Sequence, residues 1–106
     1  MSYRFMRVLV MFDLPTLTKK DLREYRHFRN YLIKNGFIML QESIYTKLAL
    51  NAVTAKAAVE HLKNHKPRKG YVITFTITEK QYNNMEIIIG EKKSEVLDSD
   101  ERLIIL

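Results

Sequence analysis

Apolar residues recur at two different periods along this chain, and the switches between them mark its elements. From Arg4 to Phe12 the run RFMRVLVMF is short, branched and aromatic, and Asp13-Leu14-Pro15 closes it, as a strand ending in a turn would be. Val8, Val10 and Phe12 make one face of that strand and Leu9 and Met11 the other, so a cover is expected on both sides. Thr18-Lys19-Lys20-Asp21 then has the form of a helix capping box, and Gly36, after Asn35, supplies the stop. Between these signals Leu22, Tyr25, Phe28 and Leu32 fall in one helical sector, while Lys19, Arg23, Arg26, His27 and Lys34 gather opposite. Arg29 breaks the pattern, because its angle sets it in the apolar sector, where it must snorkel or find a partner.

The stretch 37–50 (FIMLQESIYTKLAL) is too long for an average strand and is interrupted by Gln41-Glu42-Ser43, which fits two short strands or one bent one. A second helix is expected from about Asn51, as its cap, to a point before Pro67, with Val53, Val59, Leu62 and several alanines as its apolar face. After the basic turn Lys66-Pro67-Arg68-Lys69-Gly70, the residues Tyr71, Ile73, Phe75 and Ile77 alternate with Val72, Thr74, Thr76 and Thr78, the clearest strand pattern in the chain. Met85 to Ile89 reads as a further strand ended by Gly90. Strand, helix, paired strands, helix, strand is the order of an α+β, ferredoxin-like βαββαβ sandwich, with both helices on one sheet face. The expected organisation is one such domain over 1–90, followed over 91–106 by an acidic linker and an apolar C-terminal strand, Leu103-Ile104-Ile105-Leu106, that adds to a sheet, this chain's own or a partner chain's. The sheet's second face is left open and needs a cover.

Composition narrows the classes. A chain of 106 residues with 46% hydrophobic and 28% charged residues has room for one domain and a real core, and none for two. With no cysteine there is neither a disulfide, nor a thiolate metal cluster, nor a cysteine nucleophile, which suits a reducing cytoplasm. Nothing in the sequence has the length or apolarity of a membrane span or a signal peptide. The net charge of +6 is uneven: residues 1–70 carry 14 basic and 5 acidic side chains, and residues 71–106 carry 4 and 7. A field of that kind draws polyphosphate or an acidic surface to one part of the molecule.

The candidate site residues each have a plain structural reading beside the chemical one. Asp13 at a strand tip is a hard oxygen ligand of the type magnesium accepts, yet aspartate in an Asp-x-Pro turn ordinarily bonds backbone amides ahead of a helix. His61 and His65 have the i, i+4 spacing of a metal pair, but at a helix C-terminus they also complement its dipole, and the latter reading is preferred. Lys19, Lys20, Arg23, Arg26, Lys63, Lys66, Arg68 and Lys69 come from two helices and a turn, and together they suit phosphates rather than base edges. An RNA-binding module would stack bases on aromatics of its open sheet, and the strand after Gly70 is expected to oppose threonines to its aromatic side, against stacking there.

Taken in order, Val8-Leu9-Val10-Met11-Phe12-Asp13-Leu14-Pro15, Gly36-Phe37, Gln41-Glu42-Ser43-Ile44-Tyr45, Gly70-Tyr71-Val72-Ile73 and Thr78-Glu79-Lys80-Gln81 followed by Met85-Glu86-Ile87-Ile88-Ile89-Gly90 resemble the CRISPR-associated protein 2 family, in the versions that accompany type II systems. The resemblance spans nearly the whole chain. It implies a ferredoxin-like homodimer in spacer acquisition, whose family aspartate falls on Asp13, so that two copies hold a magnesium ion across the interface. Two functions follow from it: an adaptor that binds double-stranded DNA and bridges dimers of the CRISPR-associated integrase (the protein 1 family), and a metal-dependent endonuclease acting on RNA or double-stranded DNA. Met39 stands where some nuclease members have arginine, and Tyr45 where many have phenylalanine, which weakens the case for strong catalysis. A non-enzymatic RNA-binding module of the same fold is the alternative.

Overall fold

The computed structural model describes residues 4–90, and the acidic linker and C-terminal strand expected over 91–106 lie outside them. Its elements are β1 (Met6–Asp13), α1 (Lys19–Lys34), β2 (Ile38–Gln41), β3 (Ile44–Ala49), α2 (Ala52–Lys63), β4 (Tyr71–Thr78) and α3 (Glu79–Asn83). The sheet is antiparallel throughout in the order β2-β3-β1-β4, so the chain has the ferredoxin-like α+β fold that the element order predicts. Among the described residues no helix is long and apolar enough to cross a membrane.

Local signals explain where the elements begin. Thr18 accepts from the amide of Asp21 at 3.0 Å, and the Asp21 carboxylate accepts from the Thr18 amide at 3.2 Å, closing the box that starts α1. Asn51 and Thr54 do the same for α2, and Thr78 and Gln81 for α3. The segment 37–50 forms two strands, because Ser43 takes a positive φ of 65° in the turn and its carbonyl accepts from the Phe12 amide at 3.0 Å, tying the hairpin to β1. Met85 to Ile89 is not a strand: the capped turn at Thr78 continues into α3, after which the chain runs on without sheet pairing.

The core lies between the sheet and the two long helices. Val8, Val10 and Phe12 of β1 pack with Phe28 and Leu32 of α1, Tyr45 of β3, and Ala55 and Leu62 of α2. Phe12 is its hinge point, edge-on to Phe28 at 5.3 Å and stacked on Tyr45 at 5.7 Å between ring centres. Arg29 finds its partner here, donating from Nε to the Tyr45 hydroxyl at 3.2 Å, which gives that tyrosine's oxygen a bond at the core's edge. Leu22 and Val53, expected in the apolar faces, are exposed, Val53 by 78%.

Gly70 carries the positive φ, +97°, that brings the basic turn against the end of β1, and a Cβ there would lie 2.6 Å from the Asp13 carbonyl oxygen. Gly70→Ala is therefore expected to destabilise the protein by at least about 2 kcal/mol, seen as a melting temperature roughly 8–16 °C lower. An unchanged melting curve would refute the close approach.

At the other end of the sheet Arg7 donates from Nε and Nη2 to both oxygens of Glu79, at 2.9 and 2.6 Å, and its guanidinium lies 4.3 Å over the Tyr82 ring. The hydrogen bond from Arg7 holds the Glu79 carboxyl below its ordinary value, against the burial that would raise it. A lowered carboxyl contributes stability above the unfolded value, near about pH 4.3, and loses it as pH falls through the folded one. The acid-side drop in stability should accordingly be shallower in Glu79→Gln, measured by urea unfolding between pH 3 and 7; an identical pH profile would contradict the pairing.

Candidate functional site

The register decides which way the end of β1 points. Leu9 pairs with Phe75, Met11 with Ile73 and Asp13 with Tyr71, all on the sheet face away from the core cluster, while Val8, Val10 and Phe12 pair with Thr76, Thr74 and Val72 on the helix side. The threonines lie opposite the aromatic side as expected, but the aromatic side is the one turned away from the helices, which removes the expectation against stacking there. Thr74 turns its hydroxyl back to the Leu9 carbonyl at 2.8 Å, and Tyr71, Ile73 and Phe75 stand out, exposed by 73%, 50% and 43%. Leu9 and Thr46 are buried on this face, and the Thr46 hydroxyl has no partner among the described residues.

Asp13 is therefore exposed at the end of an apolar surface. The amide-bonding role open to it in the Asp-x-Pro turn is taken by another aspartate, since Asp21 accepts from the amides of Leu17 and Thr18 at 3.3 and 3.2 Å. Burial works against the charge of Asp21, yet the amide and hydroxyl of Thr18, with Lys69 and the Leu17 amide, hold its carboxyl below the ordinary value. No donor reaches the Asp13 carboxylate among the described residues, so its oxygens are available to a hard cation. No three His, Cys, Asp or Glu side chains gather into a metal site among those residues either. The fit to magnesium is that of one ligand per chain, which matches an ion bound by one or two carboxylates and several waters.

The basic residues lie on the opposite layer. Lys19, Lys20, Arg23 and Arg26 are exposed along α1, and Lys63, Lys66, Arg68 and Lys69 are exposed at the end of α2 and in the turn before β4. Three of them meet carboxylates: Lys63 with Glu60 at 3.1 Å, Arg68 with Glu24 at 2.8 Å, and Lys69 with Asp21 at 3.9 Å. The other five pair with no carboxylate among the described residues. Glu24 and Asp21 thus dock the basic turn onto α1, two acidic residues in a basic helix whose partners lie more than 40 positions away, a distance at which no local pattern identifies them. His61 and His65 stack against Tyr31 at 5.5 and 4.7 Å, and the Tyr31 hydroxyl meets His61 Nδ1 at 2.7 Å, so the pair is engaged in joining α2 to α1.

A family model described as CRISPR associated protein Cas2 matches residues 6–85. Proteins named CRISPR-associated endoribonuclease Cas2 are similar to the chain over nearly its whole length. That of Treponema denticola is 52% identical over 101 residues, covering 95% of this chain and 100% of the relative. Those of Ligilactobacillus salivarius and Streptococcus mutans UA159 are 44% and 43% identical over 95% of this chain, covering 100% and 93% of their own lengths.

Proposed function

Because the chain belongs to the CRISPR-associated Cas2 family, we propose that it serves spacer acquisition as a homodimer that holds duplex DNA for the CRISPR-associated integrase, with slow metal-dependent phosphodiester hydrolysis at Asp13 as a second activity. The observation that carries this reading is the division of the fold into two working faces. An apolar sheet face ends in Asp13, and the helical layer behind it carries the unpaired cations.

A second copy seated on the open face removes Met11, Ile73 and Phe75 from water, at about 25 cal/mol for each Å² of apolar surface covered. The same two-fold contact can bring both Asp13 carboxylates to one interface, where they would hold a magnesium ion. When bound there, that ion supplies Lewis-acid stabilisation of the charge that develops on phosphate. The chain's own part is to present the Asp13 oxygens unobstructed and to hold the phosphate backbone with Lys19, Lys20, Arg23 and Arg26. The relatives' name, endoribonuclease, supports phosphodiester hydrolysis and brings RNA in as a substrate.

One observation favours a second reading, a non-enzymatic RNA-binding module, since Tyr71 and Phe75 are exposed on the open sheet face where such modules stack bases. Base stacking and dimerisation compete for that face. In the dimeric reading binding is phosphate-directed, so Arg23→Glu together with Arg26→Glu should weaken a 25-base-pair duplex at least about tenfold in low salt and lower the salt slope by roughly 2. Fluorescence anisotropy across a salt series measures both. Salt-insensitive binding, or a preference for single strands that Tyr71→Ala abolishes, would favour the module instead.

A further inference from the structure

Between α1 and the turn that joins α2 to β4 lies an open-sided groove of about 290 Å³. That is the small end of the range for ligand pockets, the size of one small ligand rather than of a duplex. Phe28 and Pro67 give it an apolar lining, and its polar groups converge from two elements: Arg23, Glu24 and His27 from α1, and His65, Lys66 and Arg68 from the end of α2 and the turn. Lys19, Lys20 and Arg26 of α1 are not among the residues that line it.

The groove's charges can be counted. Arg23, Lys66 and Arg68 are fixed cations, Glu24 is a single opposing carboxylate already bonded to Arg68 at 2.8 Å, and His27 and His65 add two imidazole rings. His65 is held in place, since its Nδ1 meets the His61 carbonyl oxygen at 2.8 Å and so donates to it, leaving Nε2 free to bond a ligand. Its ring lies 4.7 Å from that of Tyr31 and 4.4 Å from that of His61, and Lys66 follows it in the groove's lining. His27 lines the groove together with Arg23 and Glu24 of its own helix and Lys66 and Arg68 of the turn.

We propose that this groove binds a phosphate monoester, the terminal phosphate of a nucleic-acid strand or of a free mononucleotide, and that its affinity rises as pH is lowered from 8 to 6. A monoester offers three terminal oxygens and up to two charges, which a convergent set of guanidinium, ammonium and imidazole donors can satisfy together; a backbone diester uses fewer of them. Imidazole as a class changes charge within that pH interval, which makes a groove lined by it sensitive to pH. The gain levels off near pH 6, where the monoester itself begins to lose its second charge. In its strand-end form the inference rests on the duplex binding proposed above.

The test uses the full chain, adenosine monophosphate, and one short duplex made with either 5′-phosphate or 5′-hydroxyl ends, titrated at pH 6 and pH 8 in the same salt. If the source is a strand end, the phosphorylated duplex binds about tenfold more tightly than the hydroxyl duplex at pH 6, the advantage shrinks at pH 8, and His27→Gln with His65→Gln removes the pH effect. If the source is a free nucleotide, only adenosine monophosphate shows this behaviour. Equal binding of the two duplexes with no adenosine monophosphate binding at either pH overturns the inference and leaves the proposed function standing. Failure of either duplex to bind, with adenosine monophosphate still bound more tightly at pH 6, overturns the proposed function and upholds the groove. Monoester binding that does not change with pH overturns the role given to the histidines.

Discussion

Replacing Ile73 with aspartate is expected to leave a folded monomer in place of the proposed homodimer. Ile73 is half exposed on β4, opposite Met11 and beside Leu9 and Phe75, so a single chain can carry a carboxylate there in contact with water. A second copy on this face would bury that charge without a partner, at a cost of about 3–5 kcal/mol, which is two to three orders of magnitude or more in the dimer's dissociation constant. Light scattering at micromolar concentration should show the mass halved, and circular dichroism should show the secondary structure unchanged. A dimer that survives the substitution, or an unaltered chain that is itself monomeric, would remove the open face as the association surface.

Much of this surface could be anticipated from the sequence, and the part that could not has a physical cause. Local chemistry announced the helix starts, since Thr18 with Asp21 and Asn51 with its alanine run are self-contained signals. The alternation from Tyr71 to Thr78 likewise specified a strand with two unlike faces. It could not say which face turns inward, because that depends on the register of β4 against β1, fixed by the approach of Gly70 to Asp13 and by the bond from Thr74 to Leu9. The burial of Leu9 was legible in an all-apolar strand, whereas the exposure of Val53 was not, because a helical sector does not reveal how far the sheet beneath it extends.

Asp13 shows the same division at the candidate site. Its place after five apolar strand residues was readable, and so was the competing role in the turn. Only the folded structure reveals that Asp21 takes that role, leaving Asp13 on the apolar face with no donor among the described residues. The groove on α1 was hidden for a related reason: Glu24 and Arg68 are 44 residues apart, and His27 and His65 read singly as solvated or dipole-complementing residues.

Asp13→Asn is expected to separate the two proposed activities. A neutral amide is a poorer ligand for a hard cation, so magnesium-dependent cleavage should fall by at least about 100-fold. The fold should be unaffected, because no hydrogen bond to this side chain is lost among the described residues. The dimer should hold or tighten by up to about 1 kcal/mol, as repulsion between two carboxylates near the interface disappears. Cleavage left intact in the variant would exclude Asp13 as the metal ligand.

The most direct measurement is the frequency of new spacers acquired in cells that carry the CRISPR-associated integrase together with either the unaltered chain or Asp13→Asn. An adaptor whose work is done by the dimer face and the basic helices predicts acquisition close to that of the unaltered protein, with cleavage gone. Loss of acquisition in a variant shown to be folded, dimeric and able to bind duplex would contradict it, and would make hydrolysis at Asp13 the protein's principal task.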